Sequence, residues 1–308
     1  MRISSSTLYQ SGVNNMSNLQ AQLVQLNMQI DNQKRVVTPA DDPVAAARIQ
    51  LLNTSSGQND QYKTNTQSVQ SWLSLSDTTL NSAVNLMNAM KSQAIHAGDG
   101  SLSTTQLQAI QQTVKEGISE LTGYANATDG NGSYLFSGNQ VSTAPFSVNL
   151  GSATPVTYNG DNGQRSVQIS ASRVMTISDP GNAVFGTPGG SGTGAFDSLI
   201  NLYNLLGQNP KPANYTAQLS SITNQITDAS QQMTTSLASI GAREQENANL
   251  QSMSTSLNLQ YNTSIGDLQN LDMAQAISNF TMTQTSLQYT QKTYAQVSQL
   301  SLFNYISG

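Results

Sequence analysis

The sequence holds no cysteine, which excludes disulfides, thiolate nucleophiles and cysteine-ligated zinc together. Histidine is almost as scarce. His96 stands alone, so no histidine pair and no histidine-based metal cluster can form. A place at the surface or at a helix end is expected of it. Charge is thin as well, because Asp, Glu, Lys and Arg make up 9% of the chain, against about a quarter in an ordinary soluble domain. With 12 Lys and Arg, a net charge of −5 and no basic run, nucleic acid is not an expected partner. No run of about 18 apolar residues is present, so no membrane span is expected. The opening Met1-Arg2-Ile3-Ser4 lacks the continuous apolar core of a cleaved secretory signal. The expected location is therefore cytoplasmic, or one reached by a route that needs no cleaved signal.

Gln, Asn, Ser and Thr fill the place of the missing charge. Amide and hydroxyl faces stay hydrated without long-range fields, so copies of such a chain approach one another without like-charge repulsion. The apolar residues are patterned for packing. Met16, Leu19, Leu23, Leu26 and Ile30 alternate steps of three and four, a coiled-coil seam on a helix, and Tyr9 extends it one heptad upstream. Thr38, Pro39 and Pro43 end the pattern.

Asp42 before Pro43 reads as an N-cap followed by proline at the first helical position. A second helix is expected from there to about Ala97, before Gly98 and Gly100, with Val69, Leu73, Leu80, Ala83, Met87 and Met90 as its seam. Leu107, Ile110, Val114, Ile118, Leu121 and Tyr124 signal a third, stopping between Thr128 and Gly132. Between 136 and 200 lie 10 of the 22 glycines and 4 of the 8 prolines. Helices are not expected there. Arg165, Val167 and Ile169, then Val174, Met175 and Ile177, read as strands of a small β domain, and Gly186 to Gly194 as a flexible linker leaving it. Helical spacing returns after Pro210 and Pro212 with Leu219, Ile222, Ile226, Ala229, Met233, Leu237 and Ile240, continues through Leu250, Met253 and Leu257, and slips near Gly266 and Asp267. A last seam follows at Met273, Ile277, Phe280, Leu287, Tyr294 and Val297.

The expected fold is mainly α: a long antiparallel helical rod, its N- and C-terminal halves folding back together, with a small inserted β domain. The expected division is a terminal coiled-coil domain at 1–42 and 263–308, a long-helix rod domain at 43–135 and 201–262, and the β domain at 136–200. The first helix should pair with the last, and the second and third with the helix after Pro212.

No constellation points to chemistry. Asp41 and Asp42 could form a carboxylate pair for acid–base work or metal binding, but their place before Pro43 favours capping. Asp129, Asn131 and Ser133 match the start of a calcium loop, yet Tyr134 takes the place of its glycine and Gln140 that of its bidentate Glu, so a turn is expected. The string Gly189, Gly190, Gly192 and Gly194 lacks the Lys-Ser or Lys-Thr of a phosphate loop and reads as linker. Neither catalytic residues nor a cofactor nor a metal is expected. The two terminal seams are the candidate site. Residues 1–30 hold only Arg2 as a charge, and 249–308 only Asp267, Asp272 and Lys292. So polar a two-helix pair is marginal alone, and the ends are expected to order when copies pack together.

The stretch K-R-V-V-T-P-A-D-D-P-V-A-A-A-R, Lys34 to Arg48, resembles the segment after the first helix in the flagellin family. L-A-S-I-G-A-R at Leu237 to Arg243, S-L-Q-Y at Ser286 to Tyr289 and S-L-F-N-Y at Ser301 to Tyr305 resemble that family's C-terminal half. Within it, the M-R-I-S opening, G-S-Y-L-F-S-G at Gly132 to Gly138 with Ala144, Pro145 and Phe146 after it, and the S-L-F-N-Y-I ending resemble the branch that joins hook to filament; flagellin itself, the filament subunit, is the alternative. The resemblance implies a structural subunit exported unfolded through the flagellar type III channel to the extracellular flagellum. It implies as partners neighbouring copies in a ring, the hook-side junction protein, flagellin, and a cytoplasmic export chaperone on Met273 to Ile306. It also implies an inner wall made by the terminal helices, with the long helices around it and the β domain outward.

Overall fold

The computed structural model describes residues 2–189 and 194–306; among these the side chains of 2–6, Leu8 and 298–306 carry no statement, and Gly190 and Gly192 of the expected linker lie outside the described residues. The chain divides into two compact units, Met1–Gln58 with Ser256–Gly308, and Asn59–Thr255.

The first unit is built from α1 (Arg2–Asn32), the opening of α2 (Pro43–Ala97), the end of α6 (Tyr215–Gln269) and α7 (Met273–Ile306). α1 packs along α7, as the heptads of the two ends require. Gln33 takes a left-handed φ of 55° and stops α1, with Lys34 N–H donating back to Gln29 O at 3.1 Å. The two turns beyond the helices then pair with each other. Lys34 bridges Asn270, and Arg35 N–H donates to Gln269 O at 2.7 Å. The Arg35 guanidinium reaches Leu268 O at 2.8 Å and Asp42 at 3.0 Å. Asp42 Oδ1 accepts from Ala45 N–H at 2.9 Å, so it is the N-cap its place before Pro43 suggested. A small core of Val36, Ala45 and Ile49, with Ile265 and Leu268 against it, backs this corner.

The second unit holds the rest of α2 and α6, α3 (Thr104–Ala125), β1 (Phe146–Val148), β2 (Val156–Tyr158), β3 (Ser166–Ser170), β4 (Arg173–Thr176), α4 (Gly181–Phe185) and α5 (Ala195–Leu206). β1 pairs antiparallel with β2, Phe146 opposite Tyr158, and β3 with β4, Val167 opposite Met175. α3 opens with a capping box between Ser103 and Gln106. It approaches α2 closely at Gly117, where an added Cβ would lie 2.5 Å from Met90 Sδ. The core joins α2's seam at Val69, Leu73, Leu80, Ala83, Met87 and Met90 to α6's at Leu219, Ile222, Ile226, Ala229, Met233 and Ile240. Phe136, Phe146, Phe185 and Phe196 stack edge-on or tilted beside it, with ring centroids 4.8–6.3 Å apart.

One expectation is corrected. The segment 136–200 does contain helix: α4 lies within it and α5 begins in it. Glycine density hid the pattern Phe196, Leu199, Leu202 and Leu206, which is helical spacing, and those residues are buried at 4% exposure or less. The third helix packs on α5, a neighbour that the sequence reading did not supply. Two other motifs fall where read. His96 is exposed near the end of α2, and Asp129 Oδ1 accepts from Asn131 and Ser133 N–H at 2.9 and 2.7 Å, closing a turn.

Candidate assembly surface on the terminal helix pair

Met16, Leu19, Leu23, Leu26 and Ile30 are all half-buried, and so are Tyr9, Gly12 and Gln29. Every other α1 residue whose side chain is described is exposed. One stripe of the helix is therefore covered, and it is the predicted one. On α7, Met273, Phe280, Leu287, Tyr294 and Val297 are likewise half-buried. The pairing is antiparallel: Tyr9 meets Tyr294 edge-on with centroids 5.9 Å apart, and the Tyr9 hydroxyl donates to Val297 O at 3.4 Å. Gly12 leaves room for the Tyr294 ring, which an added Cβ would meet at 3.0 Å. Ile277 stands off this stripe at 51% exposure.

Sequence reasoning passed over three seam positions. Ala276 and Thr283 are buried, at 3% and 8% exposure, and Thr290 is half-buried. With them the stripe reads 273, 276, 280, 283, 287, 290, 294 and 297, an unbroken alternation of three and four. The period itself could have found them, since Ala and Thr at heptad positions are covered by their neighbours whatever their own hydropathy.

The covered stripe does not use up the apolar side chains. Val13, Val24 and Met28 on α1, and Ile277, Met282 and Tyr289 on α7, are 43–66% exposed. Val13 and Val24 are eleven residues apart, about three turns, and so share a face, while Met282 and Tyr289 are one heptad apart on another. Between Thr7 and Val297 these two helices carry only Asp31 and Lys292 as charges. A cleft of about 430 Å³ opens at Tyr9, Gly12, Tyr289 and Tyr294, lined otherwise by Ser, Thr, Asn and Val. Its lining holds no carboxylate, lysine or histidine, and the polar groups it offers are hydroxyls, three of them tyrosine phenols, and the Asn15 amide.

The carboxylates at the corner are structural. Hydrogen bonds from Thr38 N–H first, then Val37 N–H and the Thr38 hydroxyl, hold Asp41 below its ordinary carboxylate value despite some desolvation. Asp42 is lowered by the Ala45 N–H and then by Arg35. Among the described residues no three His, Cys, Asp or Glu are placed to hold a metal ion, and no helix is long and apolar enough to cross a membrane. A groove of about 730 Å³ beside α3 in the second unit is lined by Lys115, Glu116, Glu120, Val148 and Leu150; Glu120 is engaged by the Tyr124 hydroxyl at 2.7 Å.

The family model of the bacterial flagellin N-terminal helical region matches residues 3–141. Two curated relatives, both named flagellar hook-associated protein 3, align end to end. The one from Salmonella typhimurium is 27% identical, over 98% of this chain and 99% of its own length. The one from Escherichia coli is 28% identical over the same shares. Among solved structures, flagellar hook-associated protein 3 of Legionella pneumophila superposes with a TM-score of 0.64 at 17% identity, over 71% of this chain and 98% of its own. The FlgL protein of Xanthomonas campestris gives 0.61 at 18%, over 70% and 99%. These two likenesses speak for the fold.

Proposed function

We infer that this chain, a member of the flagellin family, is a structural subunit of the bacterial flagellum that joins hook to filament and is assembled through its terminal helices. The observation that carries the reading is the end-to-end match to two relatives named flagellar hook-associated protein 3. The terminal pair supports it: one half-buried seam, an almost chargeless surface and large apolar side chains left outward. Such faces gain from burial against another copy at about 25 cal/mol per Å², with little charge to desolvate. Flagellin, the alternative of similar architecture, is not favoured.

The finer reading is mechanical. The seam residues Met16, Leu19, Leu23, Leu26, Ile30, Met273, Phe280, Leu287, Tyr294 and Val297 hold the two helices in one register, and that pair, with Ile277 outward, is the assembly interface. The terminal domain spans 1–42 and 263–308, the long-helix domain 43–135 and 201–262, and the inserted domain 136–200. The partners are further copies in a ring, the hook-side junction protein, flagellin, and an export chaperone on 273–306 before secretion through the flagellar type III channel. The subunit works outside the cell, and no reaction is assigned to it.

Deleting the gene tests the assignment. Hooks without filaments and flagellin shed into the medium are expected; normal filaments would refute it.

A further inference from the structure

The seam between α2 and α6 changes character along the second unit. Taken seven residues apart, α2 reads Asn59, Thr66, Leu73, Leu80, Met87 and Ala94, and α6 reads Leu219, Ile226, Met233, Ile240, Asn247 and Ser254. All twelve are buried at 8% exposure or less. Four polar residues thus occupy seats that apolar ones hold elsewhere, and they are gathered at one end, where this unit begins and ends in sequence.

The side chains of Asn59, Asn247 and Ser254 bond across the helix pair, while the Thr66 hydroxyl donates to Lys63 O of its own helix at 2.8 Å. Asn247 Nδ2 donates to Thr66 O at 2.9 Å and to Gln70 Oε1 at 3.1 Å. Asn59 Nδ2 donates to Ser254 O at 2.7 Å, and the Ser254 hydroxyl donates to Asn59 Oδ1 at 2.8 Å. Asn247 Oδ1 is buried without a partner among the described residues. When a polar layer of this kind opens, water replaces its hydrogen bonds, so closing it gains little, and opening also relieves the stranded oxygen. An apolar layer has no such exchange. Its exposure costs its full transfer free energy.

We propose that this polar layer is an opening point built into the helix pair: α2 and α6 part at Asn59–Thr66 and Asn247–Ser254 while the apolar seam from Leu73 to Ala94 stays closed. Stability within one helix pair is graded, and the grade is set by which residue types fill equivalent heptad seats. The device belongs to the folded chain alone and stands independently of the flagellar role.

Amide hydrogen exchange on the full-length chain tests it. Peptides covering 59–66 and 247–254 should exchange about tenfold or more faster than those covering 80–94 and 226–240. In the double variant Thr66→Val with Asn247→Leu, that gap should narrow by about tenfold, with protection over 80–94 unchanged. If circular dichroism shows the double variant misfolded, Thr66→Val alone, which keeps the shape and removes the hydroxyl, should narrow the gap by a smaller factor. Equal protection of the two seam sections in the parent chain overturns the proposal, as does a folded variant whose gap is unchanged.

Discussion

The two units solve the same packing problem to different depths. In the second, the described heptad residues of α2 and α6 fall almost to zero exposure, and four phenylalanines each at 1% complete the core. In the first, the α1·α7 stripe is mostly only half covered, and the fully buried apolar residues are Val36, Ala45, Ile49 and Ala276. Both use coiled-coil spacing. The difference is what surrounds the seam: the second unit adds α3, α5 and two hairpins around its helices, whereas among the described residues the helix packed along α1 is α7. Periodicity alone therefore does not make a finished core. A third layer does, and among the described residues the stripe of the terminal pair stays mostly half-buried.

The largest effect that could break this comparison comes from truncating one aromatic side chain in each unit. Phe146→Ala should destabilise the chain by about 3–5 kcal/mol, because a side chain at 1% exposure leaves a cavity. Phe280→Ala removes a half-buried ring and should cost the unassembled chain about 1 kcal/mol, yet it should abolish complementation of a deletion strain in swimming assays. Urea titration of both variants reads the first pair of numbers. If Phe280→Ala unfolds the free chain as readily as Phe146→Ala, the terminal pair is a completed core and the contrast is lost.

Acid gives a middle-sized effect and sharpens the contrast. Asp41 and Asp42 both sit below their ordinary value near 3.8. Their folded forms release the proton more readily than the unfolded chain does, so their contribution is complete above about pH 4 and is lost as pH falls through the folded values. In the second unit Asp99 and Glu246 act in the same direction, but Glu244, raised by burial and then by the charge of Asp77, acts in the opposite one, so acid relieves part of the strain there. Below pH 4 the corner at 33–42 should therefore gain amide exchange before 80–94 does. The variant Asp41→Asn should remove much of that pH dependence. Loss of protection over 80–94 first would reverse the ranking of the two units.

Much of this was legible in the residues, for identifiable reasons. The α1 stripe could be read because Met16, Leu19, Leu23, Leu26 and Ile30 are large and their neighbours polar. Ile277 misled because a step of four from Met273 suits a helix as well as the step of three to Ala276; only the facing helix decides between them. Ala276, Thr283 and Thr290 were invisible to a reading that counted large apolar side chains. Asn59, Thr66, Asn247 and Ser254 escaped for the same reason, although each stands seven residues from an occupied seat or from another of the four. α5 was hidden by the glycines before it. A seam is a geometric repeat first, and hydropathy marks only the seats that happen to be filled with apolar groups.

The smallest effect concerns ion pairs, which are unequally shared. In the second unit Arg173 and Glu246 join β4 to α6 with nitrogen–oxygen distances of 2.5 and 2.9 Å, and Arg243 pairs with Asp179 while donating to Thr176 O at 3.1 Å. In the first unit the pair among described residues is Arg35 with Asp42, at the corner and not along the helices. The side chain of Arg173 is 56% exposed, so solvent and salt screen it strongly. Arg173→Ala should lower the melting temperature of the second unit by less than about 2 °C. Arg243→Ala should do more, because both side chains of its ion pair are mostly covered, Arg243 at 14% and Asp179 at 21% exposure, and Asp179 would be left without its cation. Raising salt toward about 1 M shrinks the Debye length to about 3 Å, and should erase most of the Arg173 effect and little of the Arg243 one. The α1·α7 pair has almost no charge to screen, so salt should leave it unweakened or, by favouring apolar burial, tighten it. Salt that loosened the terminal helices and spared the hairpin would mean that charge, not the uncharged seam, holds the ends together.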